Sequence, residues 1–158
     1  MNEGTTVIRK AEEKDLRAAV ALAAELWPEH TPEELLPEFR TLPASGEGAL
    51  FLASEDGQDL GFAQVQLRHD YVEGTETSPV GYLEGVYVRV EARGRGVAKA
   101  LLRACEAWAA DKGCREFASD CELDNAASLS FHLHSGFTEA NRIICFVKPL
   151  DGEKGGNA

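Results

Sequence analysis

Apolar positions along the chain change period several times. Leu16, Ala19, Val20, Ala23 and Leu26 recur at helical spacing and predict a helix over 11–26. Pro28 interrupts that pattern after Trp27. Before the helix, Thr5 to Lys10 reads as a short strand. A second helix is expected from about Pro32 to Leu42, with Thr31 as N-cap and Glu34 three residues on. Pro43 to Gly48 reads as a turn-rich linker. Ala49–Ser54 and Leu60–Arg68 then read as two strands around Asp56-Gly57, a strong hairpin signal. A long polar loop, His69 to Pro79, follows, of a length more often functional than idle.

The stretch from Tyr82 to Trp108 contains the most informative change of period. Tyr82, Leu83, Val86, Tyr87, Val88 and Val90 suit a half-buried strand. Arg93-Gly94-Arg95-Gly96 breaks it. Val97, Leu101, Cys105 and Trp108 then form a helical stripe. Beyond Gly113 come a strand at Arg115–Ser119, a helix from Asn125 to His134, and a last strand or hairpin over Thr138–Lys148. The predicted order, β α α β β β α β α β, is one α/β domain over 1–150 with helices on both faces of a mixed sheet. Residues 151–158 are expected to be a flexible C-terminal tail.

A strand, a glycine turn and a helix suggest a phosphate cradle. Backbone N–H groups at a helix start favour an anion, and arginines supply matching donors. Two phosphate loops do not fit. A Walker loop needs Gly-Lys-Ser/Thr, but Val97 and Ala98 follow Gly96. A dinucleotide fingerprint needs a third glycine where Lys99 stands.

Composition narrows the class. With 27 acidic and 16 basic residues among 158, the net charge of −11 argues against a nucleic-acid surface and suits a cationic small molecule. No apolar run approaches the roughly 20 residues that span a bilayer, and no signal-peptide core is evident, so no membrane partner and a cytoplasmic location are expected. Cys105, Cys114, Cys121 and Cys145 lack metal spacing, which predicts no metal; they read as small hydrophobes in a reducing compartment.

The third phosphate loop, Arg/Gln-x-x-Gly-x-Gly/Ala, is met by Arg93, Gly96 and Ala98. Its placement resembles the acetyl-coenzyme-A loop of the GNAT acyltransferase superfamily. Other stretches are more specific: Leu26-Trp27-Pro28, Arg68-His69-Asp70-Tyr71-Val72, Ser78-Pro79-Val80 and Leu83-Glu84-Gly85. Together they resemble the bacterial aminoglycoside 6′-N-acetyltransferases over roughly residues 7 to 148. The resemblance implies a GNAT-like, mixed and mostly antiparallel central sheet, with acetyl-CoA as cosubstrate and no metal. It implies direct transfer to the 6′-amine of an aminoglycoside in a ternary complex, by an enzyme commonly homodimeric.

The resemblance places the coenzyme pyrophosphate on Arg93, Gly94, Arg95, Gly96, Val97 and Ala98, and its acetyl carbonyl near the backbone of Val86, Tyr87 and Val88. Asn125 matches a coenzyme-contacting position; as an N-cap it is equally explained. Trp27, Tyr71, Glu84 and Asp120 match acceptor-holding positions, and Asp70 could join them. A carboxylate must accept the ammonium proton; Glu84 is the first choice and Asp120 the second. Glu84 could instead belong to a buried structural ion pair. His132 stands where many GNAT enzymes carry a tyrosine that protonates the leaving thiolate. Phe146 and Asn141 depart from relatives with a tyrosine and an acid. Two alternatives remain open: the same chemistry on another amine (a polyamine, amino sugar, amino acid or protein N-terminus), and a non-catalytic acyl-CoA-binding module.

Overall fold

The structure is a computed structural model and describes residues 4–151. The expected flexible tail, apart from Asp151, lies outside the described residues. Five strands form one sheet in the order β1-β2-β3-β4-β5: Val7–Lys10, Gly48–Glu55, Gln58–Arg68, Val80–Val88 and Phe117–Ala118. The first four are antiparallel and β5 runs parallel to β4. Helices α1 (Leu16–Leu26) and α2 (Pro32–Ser45) cover one face, and α3 (Val97–Asp111) covers the other. A fourth helix, α4 (Ala126–His134), follows β5.

Local chemistry explains these elements. Asp56 and Gly57 close the β2–β3 hairpin with φ of 50° and 79°, the two left-handed positions a tight two-residue turn requires. Thr31 and Glu34 complete a reciprocal capping box at the start of α2. α3 buries Val97, Leu101, Leu102, Cys105, Trp108 and Ala109 against Ala63, Val65, Leu83 and Val88 of the sheet. α1 and α2 bury Leu22, Ala23 and Phe39 against Leu50, Leu52 and Phe62. Arg9 bonds Asp15 at 2.7 Å and ties β1 to the turn before α1. That bond, more than the Glu12 backbone N–H, holds the Asp15 carboxyl below the usual carboxylate range.

Three expectations are corrected. Pro43 does not end α2; the helix runs to Ser45 and stops at Gly46, whose φ is +78°. A proline in the last turn forfeits one backbone bond while the helix still packs on the sheet: Leu42 lies where any side chain at Gly48 would be. Residues 138–150 form no strand. Their β-branched and aromatic composition suits a strand, but a strand needs a ladder partner and none of the described residues supplies one. Finally, only Cys105 is a buried hydrophobe; Cys121 and Cys145 are exposed.

Candidate active site

Strand β4 carries the centre of the site, and a bulge shapes it. Gln64 of β3 opposes Gly85 and Val65 opposes Leu83, so Glu84 is an extra residue without a direct partner. The bulge shifts the side-chain phase: Leu83, Val86 and Val88 face α3, whereas Tyr87 faces α1 and α2. The strand on the other side ends early. β5 pairs with β4 only at Gly81–Phe117 and Tyr82–Ala118. Beyond Tyr82 the outer edge of β4, including Val86, Tyr87 and Val88, has no ladder partner among the described residues. An extended ligand can hydrogen-bond such an edge.

At the end of this edge lies the glycine turn. Gly94 and Gly96 have φ of +80° and +81°, and nothing lies within 4 Å of a side chain built at either. Gly96 caps α3, and its carbonyl receives the Ala100 N–H at 3.0 Å. The N–H groups of Val97, Ala98 and Lys99 precede that first helical bond and form an open anion site. Arg93 is partly committed: its Nε donates to the Val88 carbonyl at 2.7 Å, which braces the turn against β4. Arg95 reaches Glu55 at 3.4 Å. The turn, the helix start and the open edge fit an extended pantetheine carrying a pyrophosphate.

The residues expected on the acceptor side lie around the bulge. Glu84 takes a two-pronged bond from Arg68, with Nε–Oε2 at 3.1 Å and Nη2–Oε1 at 3.0 Å. The Arg68 guanidinium lies 3.6 Å from the centre of the Tyr82 ring, a close cation–π stack. The buried Tyr82 hydroxyl donates to Asp120. Burial, then the hydrogen bond to Asp120, pushes the Tyr82 phenol well above its ordinary pKa. Trp27 lies over Gly85: a side chain there would come within 2.7 Å of the indole. The Trp27 ring meets Phe62 edge-on at 6.0 Å. Tyr71 and Asp70 stand in the exposed loop after β3, beside a hollow of about 350 Å³ shared with Gln66 and Arg68. Tyr71 is 74% exposed, so its ring is available as a wall.

Of the remaining predicted residues, Asn125 is the N-cap of α4, accepting the Ser128 N–H at 3.0 Å. His132 has both ring nitrogens engaged. Nδ1 lies 2.7 Å from the Ser128 carbonyl and Nε2 lies 2.8 Å from Ser119 Oγ. A carbonyl only accepts, so this network assigns the Nδ1 proton, and Nε2 faces the serine. Ser119 also reaches the Leu83 carbonyl at 3.4 Å, where β4 and β5 part.

Arg68, Tyr82 and Ser119 join the cluster although sequence reasoning assigned them no role. The sequence signal for Arg68 is that it opens the Arg68-His69-Asp70-Tyr71-Val72 stretch; the register then shows what it meets. Its direct partner across the sheet is Val80, so Tyr82 is its diagonal neighbour, within reach of a long side chain. Among the described residues no group of three or more His, Cys, Asp or Glu could hold a metal ion, and no helix is long and apolar enough to cross a membrane.

Comparison with known proteins agrees with this geometry. The model of the acetyltransferase (GNAT) family matches residues 7–137. The aminoglycoside N(6′)-acetyltransferase type 1 of Stenotrophomonas maltophilia is 46% identical over 145 residues, 91% of this chain and 94% of that protein. The protein of the same name from Klebsiella aerogenes is 40% identical over 152 residues, 94% and 99% of the two chains. Among solved structures, aminoglycoside N-acetyltransferase AAC(6′)-Iy in complex with CoA superposes with a TM-score of 0.90 at 38% identity, covering 93% of this chain and 97% of the other. AAC(6′)-Iy with the bisubstrate analogue CoA-S-monomethyl-acetylneamine gives 0.89 at 39% identity, covering 92% and 99%. With the open β4 edge and the glycine turn in place, this chain belongs to the GNAT acetyltransferase family.

Proposed function

We propose that the protein is an aminoglycoside 6′-N-acetyltransferase that moves acetyl from acetyl-CoA to the 6′-amine of its acceptor by direct attack. One observation carries this reading: the open edge of β4 adjoins, at the Glu84 bulge, a cluster in which Trp27 lies over Gly85, Arg68 bonds Glu84 and Tyr82 bonds Asp120, with Tyr71 in the loop beside Arg68. Aromatic faces and carboxylates suit a polycationic sugar. The names of the relatives at 40–46% identity support the same acceptor class.

Bound acetyl-CoA supplies the activated thioester. The Val97, Ala98 and Lys99 N–H groups hold its pyrophosphate, with the free end of Arg93 close by and Arg95, paired with Glu55, beside the turn. A backbone N–H among Val86, Tyr87 and Val88 polarises the acetyl carbonyl as negative charge develops on its oxygen. An alkylamine is largely protonated at neutral pH. Glu84 accepts the proton from the acceptor ammonium, directly or through one water. Asp120, anchored by Tyr82, holds a further ammonium. His132 reaches the cleft through Ser119: as an imidazolium it passes its Nε2 proton to the Ser119 oxygen while the Ser119 hydroxyl gives its own proton to the departing thiolate, leaving the neutral Nδ1–H imidazole.

The partner copy is part of this reading. Ile143, Ile144, Phe146, Val147 and Leu150 are between 63% and 95% exposed. No residue of α4 is buried. Burying five such side chains offers on the order of 10 kcal/mol, comparable to what association costs. We assign this segment to a homodimer interface. We place the enzyme in the cytoplasm, where the exposed thiols of Cys121 and Cys145 stay reduced.

The test is release of free coenzyme A from purified protein, acetyl-CoA and kanamycin or tobramycin, beside spermidine, glucosamine and amino acids. Turnover with the aminoglycosides at least tenfold above the other amines is expected. No turnover across a panel bearing 6′-amines would sink the proposal.

A further inference from the structure

A cation stands inside the wall that receives a cation. Arg68 projects from the end of β3 into the acids of the acceptor side, where its charge opposes the approach of a positive substrate. Its position therefore needs a reason other than attraction. Its geometry supplies one. The guanidinium fork grips both Glu84 oxygens, at 3.0 Å for Oε1 and at 2.9 and 3.1 Å for Oε2. The plane of that fork is fixed from below by the Tyr82 ring, and the Tyr82 hydroxyl is fixed by Asp120. The four groups form one chain: Asp120, Tyr82, Arg68, Glu84.

A carboxylate offers about four lone-pair sites, and the fork uses those on one side. The others stay available, and the Glu84 side chain keeps 18% of its surface exposed. Glu84 is also the bulged residue of β4, so no cross-strand neighbour fixes its direction. We propose that Arg68 is the positioning residue of the acceptor site. It holds the Glu84 carboxylate in one plane for proton acceptance and links it rigidly to the Asp120 anchor. This inference rests on Glu84 being the proton acceptor.

The test compares Arg68→Gln, Arg68→Lys, Glu84→Gln and the Arg68→Gln/Glu84→Gln double variant in steady-state kinetics. Arg68→Gln and Arg68→Lys should each lower kcat at least tenfold, with the KM for acetyl-CoA within twofold of the parent. Lysine keeps the charge but can neither form the fork nor stack as a plane, so it should not rescue. In the Glu84→Gln background, Arg68→Gln should change kcat less than twofold, because the carboxylate it positions is gone. Full activity in Arg68→Lys, or losses that multiply in the double variant, overturns the proposal. So does a lowered melting temperature with unchanged kcat per folded enzyme, the mark of a merely structural pair. Full activity in Glu84→Gln removes the proton-acceptor reading and this inference together; impaired Glu84→Gln beside unimpaired Arg68→Gln removes this inference alone. If Arg68→Gln fails to fold, Tyr82→Leu removes the stacking platform instead, and its kcat loss should likewise vanish in the Glu84→Gln background.

Discussion

The two ends of β4 solve recognition differently. Toward Gly96 the candidate site is made of backbone: left-handed glycines, the first N–H groups of a helix and a strand edge without a ladder partner among the described residues. Toward Tyr82 it is made of side chains already bonded to one another, Glu84 to Arg68 and Tyr82 to Asp120. A backbone site serves one invariant ligand, because amides cannot be exchanged by substitution. A side-chain site can be retuned residue by residue. Changes at the two ends should therefore separate kinetically.

The largest effect is expected from Glu84→Gln. It should lower kcat about 100-fold, the low end of general-base contributions, and leave the KM for acetyl-CoA unchanged. Steady-state kinetics at saturating acceptor checks this, and a raised coenzyme KM would erase the separation. Gly96→Val is the mirror experiment. A β-branched residue at φ +81° is strained by about 1–3 kcal/mol and disturbs the turn. The KM for acetyl-CoA should rise about tenfold or more, while the acceptor KM stays within twofold. Gly85→Ala sharpens the acceptor side. Its Cβ would sit 2.7 Å from the Trp27 indole and displace that wall. The acceptor KM should rise about fivefold, on the scale of 1 kcal/mol, with little change for the coenzyme.

Asp15→Asn is the remote control. It breaks a pair whose acid is 7% exposed, and it should touch neither KM. Because Arg9 is 39% exposed, the loss should be about 1–2 kcal/mol rather than the 3–5 of a fully buried pair. The folded-state pKa of Asp15 is lowered, so this stabilisation is complete above its unfolded value near 4 and is lost as pH falls through the folded value. Denaturant melts of parent and variant should differ at pH 7 and converge in strong acid.

The same division marks what the sequence made legible. Asp56-Gly57, the Thr31–Glu34 box and Gly94–Gly96 are local devices, each specified by neighbours in the chain, and each is found where expected. The stripe on α3 was equally local. The acceptor cluster depends on register. The bulge at Glu84 breaks strand alternation, and Arg68 meets Tyr82 only across the β3–β4 ladder. Glu84 is legible as the first-choice proton acceptor, but its partner Arg68 lies 16 positions away. The mistaken final strand has the same cause: composition at Ile143–Val147 favours β structure, while pairing depends on a surface outside the segment.

The most direct measurement is the position of the acetyl group on the product. Two aminoglycosides would be compared, one with a 6′-amine and one with a 6′-hydroxyl in its place, each incubated with acetyl-CoA and the product mapped by NMR. A single acetyl on the 6′-nitrogen of the first and no product from the second is the predicted result. Acetylation at another nitrogen, or equal turnover of both compounds, would contradict the account.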